Sequence, residues 1–201
     1  MPYTAAHKQQ TRERIVRAAR RLFNRRGFSD VSIDEIMAAA GLSRGGFYNH
    51  FKTKDELYAE AVTAISWDHP AKNWEGIELD FAGSGPKLAR QIVEAYLSRQ
   101  HFEDIDGSCP MIALPSDVAR GGPQLKAAFR RLLEAMAGVF AASLPPYLQS
   151  APDRALALAS LLVGGMVLAR AVDDEAFADR IRAAARELAL EAGGWNGAGP
   201  Q

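Results

Sequence analysis

Three helix-start signals crowd into about 22 residues of this chain, at Ser32, Ser43 and Thr53. Ser32-Ile33-Asp34-Glu35 reads as a capping box: the serine hydroxyl takes the amide three residues on, and the glutamate reaches back. Val31 and Ile36 stand where a hydrophobic staple places them. Thr53-Lys54-Asp55-Glu56 repeats the box, and Ser43 can cap a helix in between. Gly41 lies where the chain must turn sharply. Elements this short cannot bury a face alone, so they must close on one another and on a longer neighbour.

That neighbour is a helix over about Lys8–Arg26. Ile15, Ala19, Leu22 and Phe23 fall at i, i+4, i+7 and i+8, one apolar stripe among arginines, and Gly27 stops it. Ile36, Met37, Ala40, Leu42, Phe47 and Phe51 can close on this stripe. The segment Ile33–Phe51 is thus a helix-turn-helix, with a third helix from Arg44 to about Phe51, and the three helices share one core. Leu57, Ala61, Ala64 and Ile65 carry a fourth helix.

Helical periodicity continues nearly throughout, with no series of alternating segments bounded by turns. Residues 67–85, punctuated by Pro70, Gly76, Gly83 and Gly85, read as loop with a broken helix. A long helix is expected over Pro86–Phe102, then an acidic turn at 103–110. A short helix to Arg120, bent at Pro115, comes next. Further helices are expected over Gln124–Ser143, Asp153–Val172 and Asp174–Ala192, with a Gly-rich tail that frays. The fold class is all-α: an N-terminal three-helix helix-turn-helix domain over residues 1–54, and a C-terminal helical bundle over 55–201.

The 201 residues are 48% hydrophobic, enough to bury a core and to exclude wholesale disorder. One cysteine, Cys109, excludes an intrachain disulfide and an all-Cys metal site. The N-terminus lacks the apolar stretch of a secretory signal. The longest apolar run, Ala155–Ala169, is shorter than the roughly 20 residues of a membrane span. These points set the expectation of a soluble, cytoplasmic protein without cofactor, metal or membrane. Net charge is zero, yet residues 1–54 hold eleven Lys/Arg against four acids. The basic front suggests a polyanion partner.

In a helix-turn-helix the third helix leaves its first residues free for a groove. Arg44 is its first residue, and a guanidinium there can pair bidentately with guanine. Gly45 and Gly46 each cost about 1 kcal/mol in a helix relative to Ala, which close approach of the backbone to DNA would explain. Tyr48, His50 and Lys54 offer donors to phosphate oxygens. Amides at the helix starts near Ser32 and Lys54 point at anions.

The run Ser32-Ile33-Asp34-Glu35-Ile36, then Ala39-Ala40-Gly41-Leu42-Ser43-Arg44-Gly45-Gly46-Phe47-Tyr48-Asn49-His50-Phe51-Lys52-Thr53-Lys54-Asp55-Glu56-Leu57, resembles the TetR family of transcriptional regulators. The resemblance covers roughly residues 10–60. It implies base-reading or close-approach positions at Arg44, Gly45 and Gly46. It implies phosphate contacts at Ser32, Tyr48, His50 and Lys54, and Ser43 and Asn49 join this DNA-facing set. Met37 stands where a smaller residue is common, and Gly46 where a hydroxyl is common. The resemblance also implies a homodimer joined through the last two helices, reading a palindromic operator on double-stranded DNA. Asp153–Val172, apolar nearly all round, agrees: Leu161, Gly164, Gly165 and Leu168 there, with Ile181 and Leu188 on the last helix, form the expected seam. An intrachain core role for the same helix stays open.

The expected function is a repressor released by a small-molecule effector. Trp67, Tyr96, Phe102, Met111, Phe129, Met136 and Met166 could line its apolar pocket, and Trp74, Phe81 and Phe140 could join them, though such side chains at helical spacing also make plain core. Cys109 stands at a helix N-cap with Pro110 next, a setting that favours thiolate. The run Gly107–Met111 is similar to a cysteine-bearing loop of oxidant- and electrophile-sensing TetR repressors. A thiol sensor at Cys109 is therefore the alternative, and an inert buried thiol stays open beside it. No HExxH, P-loop, Gly-x-Ser-x-Gly or zinc spacing marks an enzyme. A helical-bundle enzyme and a pure interaction module are the remote rivals.

Overall fold

A computed structural model describes residues 5–66, 69–80, 82–148 and 152–196, and no strand occurs among them. The chain divides into two compact units, Met1–His69 with Ile105–Leu132, and Pro70–Asp104 with Leu133–Gln201. This division does not follow a cut after Lys54: the helix beyond that point and a distant segment both belong with the head.

In the first unit, α1 (Ala5–Arg26), α2 (Ile33–Ala39) and α3 (Lys54–Thr63) surround a 3₁₀ turn at Arg44–Asn49. The Ser32 box forms in both directions: the Glu35 amide donates to Ser32 Oγ at 3.2 Å, and the Ser32 amide to Glu35 Oε2 at 2.8 Å. These bonds, with Arg26 beside it, hold the Glu35 carboxyl at about 2. Val31 and Ile36 are both buried. The Thr53 box is displaced by one residue. Thr53 Oγ1 takes the Glu56 amide at 3.1 Å, but Glu56 Oε2 accepts from the Lys52 amide at 2.8 Å.

The expected α-helix from Arg44 is instead a six-residue 3₁₀ turn, and Ser43 at its N-cap makes no side-chain capping bond. Two consecutive glycines, each costing about 1 kcal/mol in an α-helix relative to Ala, disfavour a regular α-helix here. The core is also larger than three helices. Ile15, Phe23, Ile36, Met37, Phe47 and Phe51 are joined by Leu57, Tyr58 and Val62 of α3. Leu114, at the junction of α6 (Pro110–Ala113) and α7 (Pro115–Arg120), joins them, with Val118 of α7 and Leu125 and Ala128 of α8 (Pro123–Ser143).

Two glycines in this unit have left-handed backbone. Gly41 (φ +68°) makes the turn after α2, and Gly27 (φ +78°) ends α1 where a Cβ would lie 2.9 Å from Asp117 Oδ2. A side chain at Gly27 would meet both penalties.

In the second unit the expected helix over Pro86–Phe102 is broken into α4 (Gly85–Tyr96) and α5 (Arg99–Glu103). Ser98 is the reason: its Oγ accepts from the His101 amide at 3.1 Å and starts a new helix. The pair α9 (Pro152–Arg170) and α10 (Glu175–Gly193) packs along its length. A Cβ at Gly165 would lie 2.7 Å from that of Ala185, so this glycine sets the close approach of α9 to α10. The expected fraying from Gly193 does not begin there. Gly194 caps α10, and Trp195 is buried against Phe140 with its Nε1 donating to Ser143 O at 3.0 Å. Trp195→Ala is expected to lower stability by about 3–5 kcal/mol, the range for truncating a buried aromatic. Urea unfolding followed by circular dichroism measures it.

Candidate nucleic-acid interface

Phe47 aims the recognition turn. It is fully buried, Phe51 is nearly so, and the rings lie 5.7 Å apart. With these two turned inward, Ser43, Arg44, Gly45, Tyr48 and Asn49 are left exposed, and Gly46 and His50 half-buried. Tyr48 is 61% exposed and leans edge-on against Phe47, which supports its ring from below.

Arg12 of α1 ties the turn to its neighbours. Its guanidinium lies 3.9 Å from the centre of the Phe51 ring, and its Nε donates to both Glu60 oxygens at 3.1 Å. Its Nη1 donates to the His50 carbonyl. Arg14 Nη2 donates to Ala40 O at 2.6 Å, holding the end of α2. The sequence marked these arginines only as basic charge; their partners lie 26–48 residues away.

Arg44 pairs with Asp34 of α2 at 2.5 Å, with both side chains more than half exposed. Exposed pairs of this kind contribute about 0–1 kcal/mol, so exchanging Asp34 for another partner costs little. A Cβ on Gly45 would meet nothing within 4 Å, so internal packing does not demand a glycine there. A Cβ on Gly46 would lie 3.5 Å from Met37 Cε. The two departures from the family pattern are therefore neighbours, and the longer Met37 reaches the side-chain space that Gly46 leaves.

The remaining phosphate candidates are more committed to the fold. Ser32 Oγ is 2.7 Å from Glu35 Oε2 as well as accepting its amide. Lys54 is half-buried, with its ammonium 4.2 Å from the centre of the Phe28 ring and donating to the Phe28 carbonyl. Burial lowers its pKa, while nearby carboxylates oppose that. The His50 pKa is lowered by burial first, then by the Lys8 and Arg12 charges, and its Nδ1 is buried without a partner among the described residues.

A second set of contacts ties α1 to a segment some eighty residues on, within the same unit. Asn24 Nδ2 donates to Asp106 O at 3.0 Å and Ser108 O at 2.9 Å, and Arg25 pairs with the Asp106 carboxylate. The Phe28 amide donates to Asp117 Oδ2 at 2.8 Å. Cys109 does stand at the N-cap of α6 with Pro110 following, but it is buried and its side chain makes no capping bond.

The effector candidates are divided between the units. Met111 and Phe129 belong to the first; Tyr96, Phe102, Met136 and Met166 belong to the second. Met111, Tyr96 and Met166 are buried, the other three half-buried. Trp67 and Phe81 lie outside the described residues. On the second unit Leu161 and Leu188 flank an apolar groove of about 560 Å³ between α9 and α10. Leu168 is 60% exposed, Leu188 52%, and Ile181 half-buried. Gly164 faces open space, whereas Gly165 turns inward to Ala185.

Comparison with known proteins bears on this head. The family described as bacterial regulatory proteins, tetR family, matches residues 15–61, the span of the buried stripe, the turn and α3. Residues 15–61 thus form a TetR-type head. It is 37% identical over 83 residues to the HTH-type transcriptional regulator AcrR of Shigella flexneri, covering 41% of this chain and 36% of that protein. It is 44% identical over 78 residues to the regulator SrpR of Pseudomonas putida, covering 39% and 33%. The match thus spans about a third of the length of each TetR relative. In fold it is similar to reduced NemR of E. coli, with TM-score 0.67, 15% identity, and 90% and 96% of the two chains covered. A TetR regulator of Chloroflexus aurantiacus gives TM-score 0.65 at 22% identity, covering 92% and 94%. Among the described residues, no helix is long and apolar enough to cross a membrane.

The lowered His50 pKa makes a stability prediction. The unfolded imidazole takes its proton near its ordinary value of about 6.5, while the folded one resists it. The unfolded state therefore binds more protons, and stability falls as pH drops from about 7 to 5. His50→Gln is expected to flatten that slope, as read by melting temperatures across the interval.

Proposed function

We propose that this protein is a DNA-binding regulator of transcription, most simply a repressor, acting as a homodimer on a palindromic operator and released by a small-molecule effector. The observation that carries the reading is the recognition turn: Phe47 is locked inside, leaving Arg44, Gly45, Tyr48 and Asn49 outward on a TetR-type head. Arg44 leaves Asp34 to pair with a guanine edge, and the open side of Gly45 lets backbone approach the duplex. Ser43, Gly46, Tyr48, Asn49 and His50 line the path of the phosphates, with Ser32 and Lys54 at its borders. His50, held neutral by its surroundings, contributes as a hydrogen-bond donor rather than as a charge. The protein works in the cytoplasm, and the reading assigns it no catalytic step.

Two heads reading one face of DNA need recognition turns about 34 Å apart, a spacing that a symmetric pair supplies. The outward face of α9 and α10 serves as the seam, with Leu161, Gly164 and Leu168 against the partner's copy of the same face, flanked by Ile181 and Leu188. An effector acts by favouring a dimer in which the spacing differs. The bonds from Asn24 and Arg25 to residues 106–108, and from Phe28 to Asp117, tie that segment to α1 and the turn before α2, so a shift of the segment is passed to the head.

Selection of bound duplexes from a random pool tests DNA recognition. A palindromic motif is expected, with affinity falling on a log–log salt plot by about 0.9 per phosphate contacted. Arg44→Ala should cost about 1–3 kcal/mol and relax the preference at one position of each half-site. An unchanged motif for that variant would remove Arg44 from base reading. A leucine at position 164 has room within one chain, so Gly164→Leu should preserve the fold while shifting sedimentation toward monomer. An undiminished dimer would place the seam elsewhere.

A further inference from the structure

A cleft of about 620 Å³ opens on the second unit, bounded by the loop at Gly76–Glu78, α4, α5 and α10. Small-molecule sites commonly fall in this range of volume. None of the effector candidates named from the sequence lines it.

Arg182 holds its inner wall. This side chain is almost fully buried, donates from Nη1 to Leu97 O at 2.9 Å, pairs with Asp179, and lies 4.9 Å from the centre of the Phe102 ring. A cation fastened this way fixes α10 against the end of α4. One helical turn further on, Arg186 lines the same cleft, is exposed, and makes no ion pair or hydrogen bond among the described residues. The neighbouring arginine, Arg99, is already engaged by Glu103, Glu175 and Asp179. Arg186 is thus the cation of this cleft that is free to take a ligand.

The other walls restrict what that ligand is. Ile77, Leu97 and Ala183 offer apolar surface. Glu78, Glu94 and Asp179 also line the cleft; Arg90 holds Glu94 at 2.9 Å, and Asp179 is paired with Arg182. Three carboxylates in one cleft disfavour a doubly charged phosphate more than a singly charged group, and phosphate would leave the apolar wall unfilled. A cationic ligand would face the unpaired guanidinium of Arg186. Gln91 uses its Oε1 on the Asp80 amide at 3.2 Å, which leaves its amide hydrogens as donors. A group with one negative charge, planar and able to accept two parallel hydrogen bonds, suits Arg186 and Gln91 together.

We propose that this cleft binds a small monocarboxylic acid with an apolar body. The carboxylate pairs bidentately with Arg186, assisted by Gln91, and the body lies on Ile77, Leu97 and Ala183. The site stands independently of the DNA reading, since its test needs no duplex.

Isothermal titration of the full chain with 4-phenylbutyrate, 4-phenylbutanol, 4-phenylbutylamine and inorganic phosphate tests it. The acid is expected to bind saturably, and the other three about tenfold more weakly or not at all, the worth of a charge-assisted pair. Arg186→Gln should weaken the acid by about tenfold or more, and Arg186→Lys should fall between, because an ammonium lacks the planar fork. Position 186 is exposed, so both variants should keep the wild-type circular dichroism and melting temperature. No saturable binding of the acid, equal binding of the alcohol or amine, preference for phosphate, or an unaltered affinity in a folded Arg186→Gln protein would each overturn the proposal.

Discussion

The inward anchoring of Phe47 is the constraint on which the head depends. A 3₁₀ turn of six residues has poorer hydrogen-bond geometry than an α-helix and cannot hold its own direction. Its orientation comes from Phe47 and Phe51 below, and from Arg12, which stacks on one ring and ties α3 to the turn's last carbonyl. With that side fixed, Arg44, Gly45, Tyr48 and Asn49 have only the outside left to them. The exposed face follows from packing rather than from the polarity of its residues.

The basic front end takes on a different meaning once partners are known. Arg12, Arg14, Arg25, Arg26, Arg44 and Lys54 all hold groups of the protein itself. Formal charge counted along the chain therefore overstates what is offered to a polyanion. Lys8, Arg21 and Lys52 are exposed and available, while Arg44 is held by a weak exposed pair that a better partner displaces.

Local signals were legible in the sequence wherever the physics is local. The Ser32 box, the stop at Gly27, the turn at Gly41 and the buried stripe Ile15, Ala19, Phe23 all involve neighbours within a few residues. The Ser98 cap is equally local, but it interrupts an apolar period strong enough to read as one helix. Contacts between distant stretches were not legible. Nothing near Met37 says that its terminal methyl reaches Gly46, and nothing near Gly165 and Gly164 says which turns to α10 and which away. The recognition turn lies where the caps place it, but its two glycines leave it 3₁₀ rather than α-helical. The cleft at Arg186 is not legible from the spacing of aromatic and methionine residues, because its walls are mostly polar and come from separate stretches of the chain.

The core of the head draws on Leu114, Val118, Leu125 and Ala128, far along the chain from the recognition turn. Recombination between relatives is constrained by this. A chimera joined anywhere between Thr63 and Ile105 parts one hydrophobic interior into pieces from two parents, and Asp117 would face an unfamiliar Gly27. A transplanted head keeps its own packing only when the stretch from Ile105 to Leu132 travels with it. The recognition turn and the stretch from Ile105 to Leu132 are thus inherited together, as one folding unit written in two places.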